Sequence, residues 1–312
     1  MDLTVSVVVP SYRRPDQLVQ CLEGLARLTR SADEVVVVRR EGDEQTAAAI
    51  ASAALPVVEV VVEQPGVLAA LRAGALRSTG GVVVFTDDDA VPRPDWLSRL
   101  LPHYAEPSVG GVGGRDVSRP LTTSPEVPSA QVGGISAWGR HTGFHDIGAG
   151  PAVRVEVLKG VNMSFRRAAL AIPLHLRGSG AEVHNELAIS LWARSRGWEL
   201  VYDPAAIVDH YHGPRFDSDQ RSRPARDAIS NEAYNLVFAM LSLAPGLTAR
   251  RIAYGLMVGD RATPGLARAL AAVARREQGV TGRLGPGLAG QLAALRDLAR
   301  GRRLDVMTLG SL

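Results

Sequence analysis

Three consecutive aspartates, Asp87, Asp88 and Asp89, directly follow the apolar run VVVFT at 82–86. Adjacent carboxylates at the end of a buried strand repel one another and resist the loss of water. A bound divalent cation would relieve both costs, and carboxylates are hard oxygen ligands of the kind that Mg²⁺ and Mn²⁺ prefer. In an extended segment Asp87 and Asp89 point the same way. The alternative is a solvated acidic turn, or an N-cap for a helix at 94–104.

Apolar runs and helical patterns alternate through the first hundred residues. The apolar, β-branched runs predict strands at 3–9, 34–38, 57–62 and 82–86. The segments between and after them predict helices at 15–28, 44–53, 67–77 and 94–104. This alternation predicts an α/β fold with a doubly wound, mostly parallel sheet. Such sheets bind ligands at the carboxyl ends of their strands, where segments 10–14, 39–43 and 87–89 lie.

The rest of the chain is less regular. Residues 106–155 are rich in Gly and Pro, and we expect an irregular region with short strands that flanks the site. Residues 156–171 predict a short strand followed by a helix, 185–196 a helix, and 198–202 a strand. Residues 226–312 predict several helices, with breaks at Pro245, Pro264 and 285–287.

Composition excludes several classes of protein. The chain has 312 residues, 46% hydrophobic and 21% charged, which excludes overall disorder, collagen and coiled coil. Its single cysteine, Cys21, excludes an intramolecular disulfide and is typical of a reducing compartment. The N-terminus lacks the basic start of a signal peptide, and no run reaches the roughly 18 apolar residues of a membrane span. We therefore expect a cytoplasmic protein.

Positive charge is concentrated at the C-terminal end. The formal net charge is +3, but from Arg250 onward eleven arginines face four acidic residues. Such a segment can meet nucleic acid, an anionic membrane or an acidic partner, or form ordinary solvated helices. It lacks interleaved aromatic residues and any recognised nucleic-acid-binding module, so we expect no nucleic acid partner. Peripheral contact with the inner face of a membrane stays open.

Five segments, taken in order, resemble glycosyltransferase family 2. They are VSVVVPSYRRPDQLVQCLEGL, EVVVV, PGVLAALRAGALRSTGGVVVFTDDDAVPRPDWL, KGVNMSFRRAAL and NELAISLWARSRGWELVYDPAAIVDH, which together extend over about residues 3–212. The resemblance implies a GT-A fold, with a glycosyltransferase domain at 1–225 and a C-terminal helical region at 226–312. Within that domain it implies a nucleotide-binding half at 1–105 and an acceptor-binding half at 106–225.

The resemblance also implies an activity and partners. The reaction is metal-dependent transfer of a sugar, with inversion, from a nucleotide diphosphate sugar to an acceptor hydroxyl. The acceptor is expected to be a glycan, a lipid-linked sugar or a small molecule. Two other functions remain: a sugar nucleotidyltransferase, and a GT-A-like protein that binds nucleotide sugars without catalysis. The first usually needs a glycine-rich loop after the first strand, where this chain has PSYRR.

Specific roles follow from the same resemblance. Asp87 and Asp89, with His210, would hold Mn²⁺ or Mg²⁺ on the donor diphosphate, and Glu186 would be the general base. The expected contacts to the nucleotide sugar are Pro10, Tyr12, Arg14, Arg40, Arg72, Asp87, Asp88 and Asn162.

Several of these assignments have alternatives. Glu186 can simply favour a helix dipole, and Asn162 can cap a loop. The neighbours of His210 that could replace it are His184, Asp209 and His212. Where many relatives have base-reading aspartates, this chain has Arg39 and Arg40, so either Asp43 or Glu44 replaces that contact or the arginines meet phosphate. Where two carboxylates are common, Asn185 leaves only Glu186.

Overall fold

The first hundred residues alternate strands with helices, as the sequence predicts. The structure, a computed structural model, describes residues 3–121, 124–214, 216, 225–244, 246, 248–260, 262–277 and 279–309. The strands are β1 (Val5–Ser11), β2 (Glu34–Arg40), β3 (Val58–Val62), β4 (Val82–Thr86), β5 (Ala90–Pro92), β6 (Val109–Ser118), β7 (Val127–Pro128), β8 (Gly148–Ala149), β9 (Val153–Val155), β10 (Asn162–Arg166), β11 (Ala171–Pro173), β12 (Glu199–His210) and β13 (Val306–Thr308). The helices are α1 (Pro15–Ala26), α2 (Glu44–Ala51), α3 (Val67–Arg77), α4 (Trp96–Leu100), α5 (Asn185–Ser195), α6 (Arg226–Leu243), α7 (Thr248–Met257), α8 (Leu266–Ala274) and α9 (Thr281–Ala299).

One nine-stranded sheet organises the fold. Its order is β3-β2-β1-β4-β10-β6-β12-β5, and β9 also pairs with β12. The first four strands are parallel, with Val8 of β1 opposite Val36 of β2 and Phe85 of β4. Each face has its own core: Val7 and Val9 pack with α1, α2 and α4, whereas Val8 packs with α3 and α5. The predicted α/β, doubly wound architecture is confirmed.

Strand β6 lies in the middle of this sheet, although the sequence predicted an irregular region there. It pairs with β10 on one side and β12 on the other. Repeated glycines usually indicate loops or bends, but here large neighbours cross the strand. A Cβ on Gly110 would lie 2.6 Å from Cβ of Trp198, and one on Gly111 would lie 2.8 Å from the Phe165 ring. The glycines therefore make room for side chains of adjacent elements.

Asn162 connects three elements instead of contacting a ligand. It is fully buried at the start of β10, and its Oδ1 accepts a hydrogen bond from Nε1 of Trp96 at 2.9 Å. Its Nδ2 donates to the carbonyl oxygens of Arg115, at 3.1 Å, and Ala206, at 3.0 Å. These bonds tie α4, β6 and β12 together, so the predicted donor contact of Asn162 is corrected to a structural role.

The chain after β10 also differs from the prediction. The helix expected within 156–171 is absent from these described residues, which instead form a 3₁₀ turn at Arg167–Ala169 before β11. β13 pairs antiparallel with β11 and thus attaches the C-terminal segment to the sheet domain.

Helices α6 to α9 form the C-terminal helical region, which the sequence predicted. Tyr234 and Phe238 of α6 share a core with Ala188 of α5. The break expected at 285–287 is not found, because α9 continues through Pro286. Gly290 of α9 lies directly against α6, where a Cβ would meet the backbone at Ser230. Among the described helices, none is long and apolar enough to cross a bilayer.

We predict that Asn162→Ala lowers the free energy of unfolding by about 3 kcal/mol, because it leaves the Trp96 indole N–H and two carbonyl oxygens buried without partners. Urea unfolding followed by circular dichroism measures this change. Gln20→Ala, which removes an exposed amide on α1, is the control and should change stability by less than about 0.5 kcal/mol. Equal stability of the two variants would contradict the connecting role of Asn162.

Candidate active site

A cavity of about 460 Å³ opens at the carboxyl ends of β1, β2 and β4. Ser11, Arg39 and Thr86 line it from these strand ends, and Gly66 lines it at the start of α3. The second half of the chain closes the cavity with residues from the loop before β10, from α5 and from the end of β12. The cavity therefore lies where the parallel sheet predicts a ligand site.

Asp87, Asp89 and His210 meet at this cavity. One potential ligand atom from each residue lies within 4.8 Å of the others. Asp89 and His210 are buried, and Asp87 is half-buried. His210 ends β12 and lies opposite Ala90 in the antiparallel pairing with β5, which brings it beside the aspartates. The sheet therefore assembles a cluster that is widely separated in sequence.

The donor set fits a divalent cation. Nε2 of His210 lies 3.3 Å from Oδ1 of Asp89. Both atoms are buried, and neither has a hydrogen-bond partner within the described part of the chain. Two carboxylates and an imidazole suit Mn²⁺ and are compatible with Mg²⁺. The unpartnered atoms indicate that this cluster is built for a ligand.

Asp116 is a site residue that the sequence analysis missed. It lies buried on β6, and its Oδ2 is 3.5 Å from Nδ1 of His210, on the ring edge away from the Asp89 contact. A carboxylate on the second nitrogen is the usual device for orienting a metal-binding histidine. Only the observation that β6 is a central strand could have indicated Asp116, and its glycines obscured that strand.

The charge on His210 follows from its neighbours. Burial disfavours the imidazolium, but the carboxylates of Asp116, Asp89 and Asp87 outweigh it and raise the pKa of His210 to about 9. Burial likewise opposes the charge on Asp89, while the contact with His210 and the charge of Arg14 prevail and lower its pKa. Without a cation, protonated His210 thus balances part of the acidic charge.

Arg14, whose contact with the donor stays a prediction, also pairs with the buried aspartates. Its side chain reaches the cavity, but its guanidinium pairs with Asp88 at 2.7 Å and with Asp89 at 2.9 Å. Asp88 is fully buried and does not line the cavity, so its predicted donor contact is corrected to an anchor for Arg14. Burial is the largest influence on the pKa of Asp88 and raises it to about 7, although Arg14 opposes this. The N–H of Gly213 also donates to Oδ2 of Asp89 at 2.6 Å.

Aromatic and cationic groups line the cavity where β1 and β2 end. Pro10, Tyr12 and Arg40 all line it. The Arg40 guanidinium lies 5.2 Å from the centre of the Tyr12 ring, and Phe216 approaches that ring edge-on at 6.2 Å. Such a flat, partly exposed surface can stack a nucleobase.

Two residues near that surface, Asp43 and Arg39, have partners within the protein. Asp43 accepts hydrogen bonds from the Arg13 N–H at 2.6 Å and the Thr46 hydroxyl at 2.7 Å, and it does not line the cavity. Arg39 reaches the cavity while it pairs with Glu59. Of the alternatives for the second strand end, the structure therefore places the arginines, and not Asp43, at the cavity.

Arg72 does not reach the cavity. Its Nη1 donates to the carbonyl oxygens of Pro173 and Leu174, each at 2.9 Å, and so attaches α3 to the end of β11. The predicted donor contact of Arg72 is corrected to this structural role.

Glu186 lines the cavity from the first turn of α5. Its Cβ lies over Gly160, where an added Cβ would be 3.9 Å away. Asn185 donates through Nδ2 to the carbonyl oxygen of Ala181 at 3.2 Å, so it serves the loop. Oε2 of Glu182 accepts from the N–H of Leu68 at 2.8 Å and holds that loop against α3. Glu186 is therefore the carboxylate that the first turn of α5 presents to the cavity.

Of the two neighbours Asp209 and His212, only His212 lines the cavity. Asp209 pairs with Arg93 at 3.0 Å and Arg119 at 2.7 Å and does not line the cavity. His212 lines it, and its ring is tilted against that of His210 with 3.9 Å between ring centres, while its Nε2 lies 2.9 Å from the Ser118 hydroxyl. His210 is thus the histidine placed to complete the cluster with Asp87 and Asp89.

The opening beside Glu186 holds a second residue without a predicted role. Lys159 is exposed and lines the cavity. It is the only lysine in the chain, a signal that could have drawn attention to it.

Solved structures share this architecture. A mannosyltransferase from Pyrobaculum calidifontis, in complex with GDP-Man and Mn²⁺, aligns with 97% of this chain and 89% of its own at 20% identity and a TM-score of 0.54. GalNAc-T7, with UDP, GalNAc and Mn²⁺, aligns with 88% of this chain and 58% of its own at 13% identity and a TM-score of 0.55. These similarities define the class of the fold, which is GT-A.

The sequence profile of glycosyltransferase like family 2 matches residues 3–226. The chain belongs to that family. Two curated relatives come from Haloferax volcanii: the glycosyltransferase AglE, 28% identical over 58% of this chain, and a glucosyl-dolichyl phosphate glucuronosyltransferase, 30% identical over 40%. The alignments span 59% and 42% of those relatives' own lengths.

We predict that Asp116→Asn weakens Mn²⁺ binding roughly 10- to 100-fold, because His210 loses the carboxylate that orients it. His210→Ala should weaken binding further, since it removes a ligand. Isothermal titration with Mn²⁺ alone measures both effects without any donor. Asp16→Asn, which neutralises an exposed acid on α1, is the control for charge. Wild-type affinity in the Asp116 variant would show that His210 needs no such support.

Proposed function

We propose that the protein transfers a glycosyl group, with inversion, from a nucleotide diphosphate sugar to an acceptor hydroxyl. One observation carries this proposal: the cluster of Asp87, Asp89 and His210 shares a single cavity with Glu186, at the carboxyl edge of the sheet. The cluster suits a metal diphosphate, and a carboxylate in the same cavity suits deprotonation of an acceptor.

The donor would span the cavity. Asp87, Asp89 and His210 would hold Mn²⁺ or Mg²⁺, which stabilises the negative charge that develops on a departing diphosphate. Tyr12 and Arg40 would flank the nucleoside. Arg14 keeps Asp89 charged and fixed, since the ion pair favours the ionised carboxylate.

Glu186 would act on the acceptor. A hydroxyl that attacks the anomeric carbon must lose its proton, and a positioned carboxylate accepts it. A single displacement from the face opposite the diphosphate inverts the anomeric configuration and needs only one such base. The substitution of Asn185 for a second carboxylate agrees with a single base.

For the acceptor we propose a lipid-linked sugar. One relative is named for a dolichyl-phosphate-linked sugar, and the arginine-rich C-terminal region favours contact with an anionic bilayer. We accordingly place the enzyme at the cytoplasmic, inner face of a membrane. A glycan or small-molecule acceptor is the alternative that an acceptor assay would reveal.

Two other functions are less well supported. A sugar nucleotidyltransferase needs phosphate contacts in the loop after β1, where Arg14 is instead paired with Asp88 and Asp89. A binding protein without activity would have no need of a carboxylate such as Glu186 beside a metal cluster.

We predict that Glu186→Gln binds donor and Mn²⁺ as the wild type does but transfers sugar about 10²- to 10⁴-fold more slowly, because only the base is lost. The assay supplies UDP-, GDP- and dTDP-sugars with Mn²⁺ and determines the anomeric configuration of the product by NMR. Glu44→Gln, which changes an exposed carboxylate on α2, is the control. Full turnover by the Glu186 variant, or a retained configuration, would remove Glu186 as the base of an inverting reaction.

We predict that Tyr12→Ala weakens nucleotide binding roughly 10- to 100-fold, since a stacked base contributes this much to affinity. Mn²⁺ affinity should not change, because Tyr12 is not one of the residues of the metal cluster. The measurement is equilibrium binding of the best nucleoside diphosphate. Tyr211→Ala is the matched control, as this tyrosine is 48% exposed and does not line the cavity. Equal nucleotide affinity of both variants would place the nucleoside elsewhere.

A further inference from the structure

Helix α8 exposes a row of large apolar side chains. Leu266, Leu270 and Val273 are 47%, 72% and 63% exposed, whereas Ala269 and Ala272 are buried. The spacing of i, i+4 and i+7 places the three large side chains on one face of the helix. The helix thus buries its small residues against the protein and presents its large ones to solvent.

The end of α7 extends this row. Met257 and Val258 are 51% and 38% exposed. The N–H of Gly265 donates to the carbonyl of Val258 at 2.9 Å, and Gly259 pairs with Pro264, so the two helices form a tight hairpin. We call the set of Met257, Val258, Leu266, Leu270 and Val273 the α7–α8 apolar face. Single exposed apolar residues are ordinary, but several on one short hairpin mark an interaction surface.

The charge around this face points to one kind of partner. Arg275 and Arg276 follow α8 directly and are exposed. The Arg275 guanidinium lies 4.0 Å from the carboxylate of the exposed Glu277, so the two arginines and this glutamate together leave a net positive charge at the end of α8. Exposed apolar side chains beside arginines are the pattern of a helix that lies in the interface of an anionic bilayer.

Helix α7 connects the face with the catalytic cavity. The side chain of Arg251 packs on Gly139, where an added Cβ would lie 2.6 Å from Cδ of Arg251. The same loop carries Trp138, which is 56% exposed, and His141. Ile135, which pairs with His141 in the same loop, packs on the core cluster that contains Leu187, the residue after Glu186 in α5. This loop therefore contacts both α7 and the first turn of α5, which carries Glu186.

We propose that the α7–α8 apolar face docks on an anionic lipid bilayer, with Leu270 and Val273 entering the headgroup region and the flanking arginines contacting lipid phosphates. The docking itself does not depend on the proposed function. Its role does: docking would bring a lipid-linked acceptor towards Glu186. The contact is peripheral, and salt weakens its electrostatic part while the apolar part remains.

Vesicle flotation of the full chain tests the docking. The vesicles contain phosphatidylcholine with or without phosphatidylglycerol, and no donor is present. Wild-type protein should float with the anionic vesicles, and Leu270→Glu/Val273→Glu should reduce the bound fraction at least about ten-fold, because two apolar side chains no longer leave water. Leu76→Glu/Val61→Glu is the matched control, since these residues are 52% and 47% exposed on α3 and β3. Circular dichroism confirms that both variants are folded.

Failure of the wild type to float, or equal flotation of the two double variants, would overturn the proposal. Light scattering after gel filtration tests whether a second copy of this chain covers the face instead. A dimeric wild type and a monomeric Leu270/Val273 variant, neither of which floats, would assign the face to a dimer interface. Because flotation needs no turnover, its failure leaves the transferase proposal standing, and inactivity of the Glu186 variant leaves the docking proposal standing.

Discussion

The structure depends on keeping acidic groups buried at the end of β4. The side chains of Asp88 and Asp89 are almost completely buried, and ionised carboxylates in that position need compensating charge. Arg14, from the segment after β1, supplies part of it, and His210, from the end of β12, supplies more. The order of the sheet brings these groups together, because β1 lies next to β4 while β12 reaches the aspartates through β5.

Arg14 and His210 balance only part of the negative charge of the aspartates. The remaining charge suits a bound cation. Arg14 and the Gly213 N–H occupy Oδ2 of Asp89, while its Oδ1 faces His210. Three segments that reach the cavity adopt left-handed backbone conformations at residues other than glycine: Arg13 (φ 55°), His184 (φ 73°) and His212 (φ 37°). Such strain is kept where the surrounding structure fixes it, and it concentrates at functional sites.

Local patterns predicted the part of the fold that buries continuous apolar strands. β1, β2 and β4 could be identified from their valine runs because parallel strands are covered on both faces. β6 could not, since its glycines are explained by neighbours from distant parts of the chain, such as Trp198 and Phe165. For the same reason Asp116 was missed.

The candidate site shows the same division. Adjacency alone indicated Asp87 and Asp89, whereas His210 and Glu186 came from the family resemblance. Asn162 and Arg72 were given donor contacts, but their polar atoms are bound to backbone and side-chain partners that a sequence does not reveal. Whether a polar residue serves a ligand or the fold depends on long-range partners, which only coordinates supply.

The most direct test of this account is a crystal structure of the protein with Mn²⁺ and a nucleoside diphosphate, with anomalous data collected at the manganese edge. The account predicts one strong peak that contacts Asp87, Asp89 and His210 and also the diphosphate, with the base beside Tyr12. A peak away from this cluster, or a diphosphate bound at the cavity with no manganese between it and the aspartates, would contradict it.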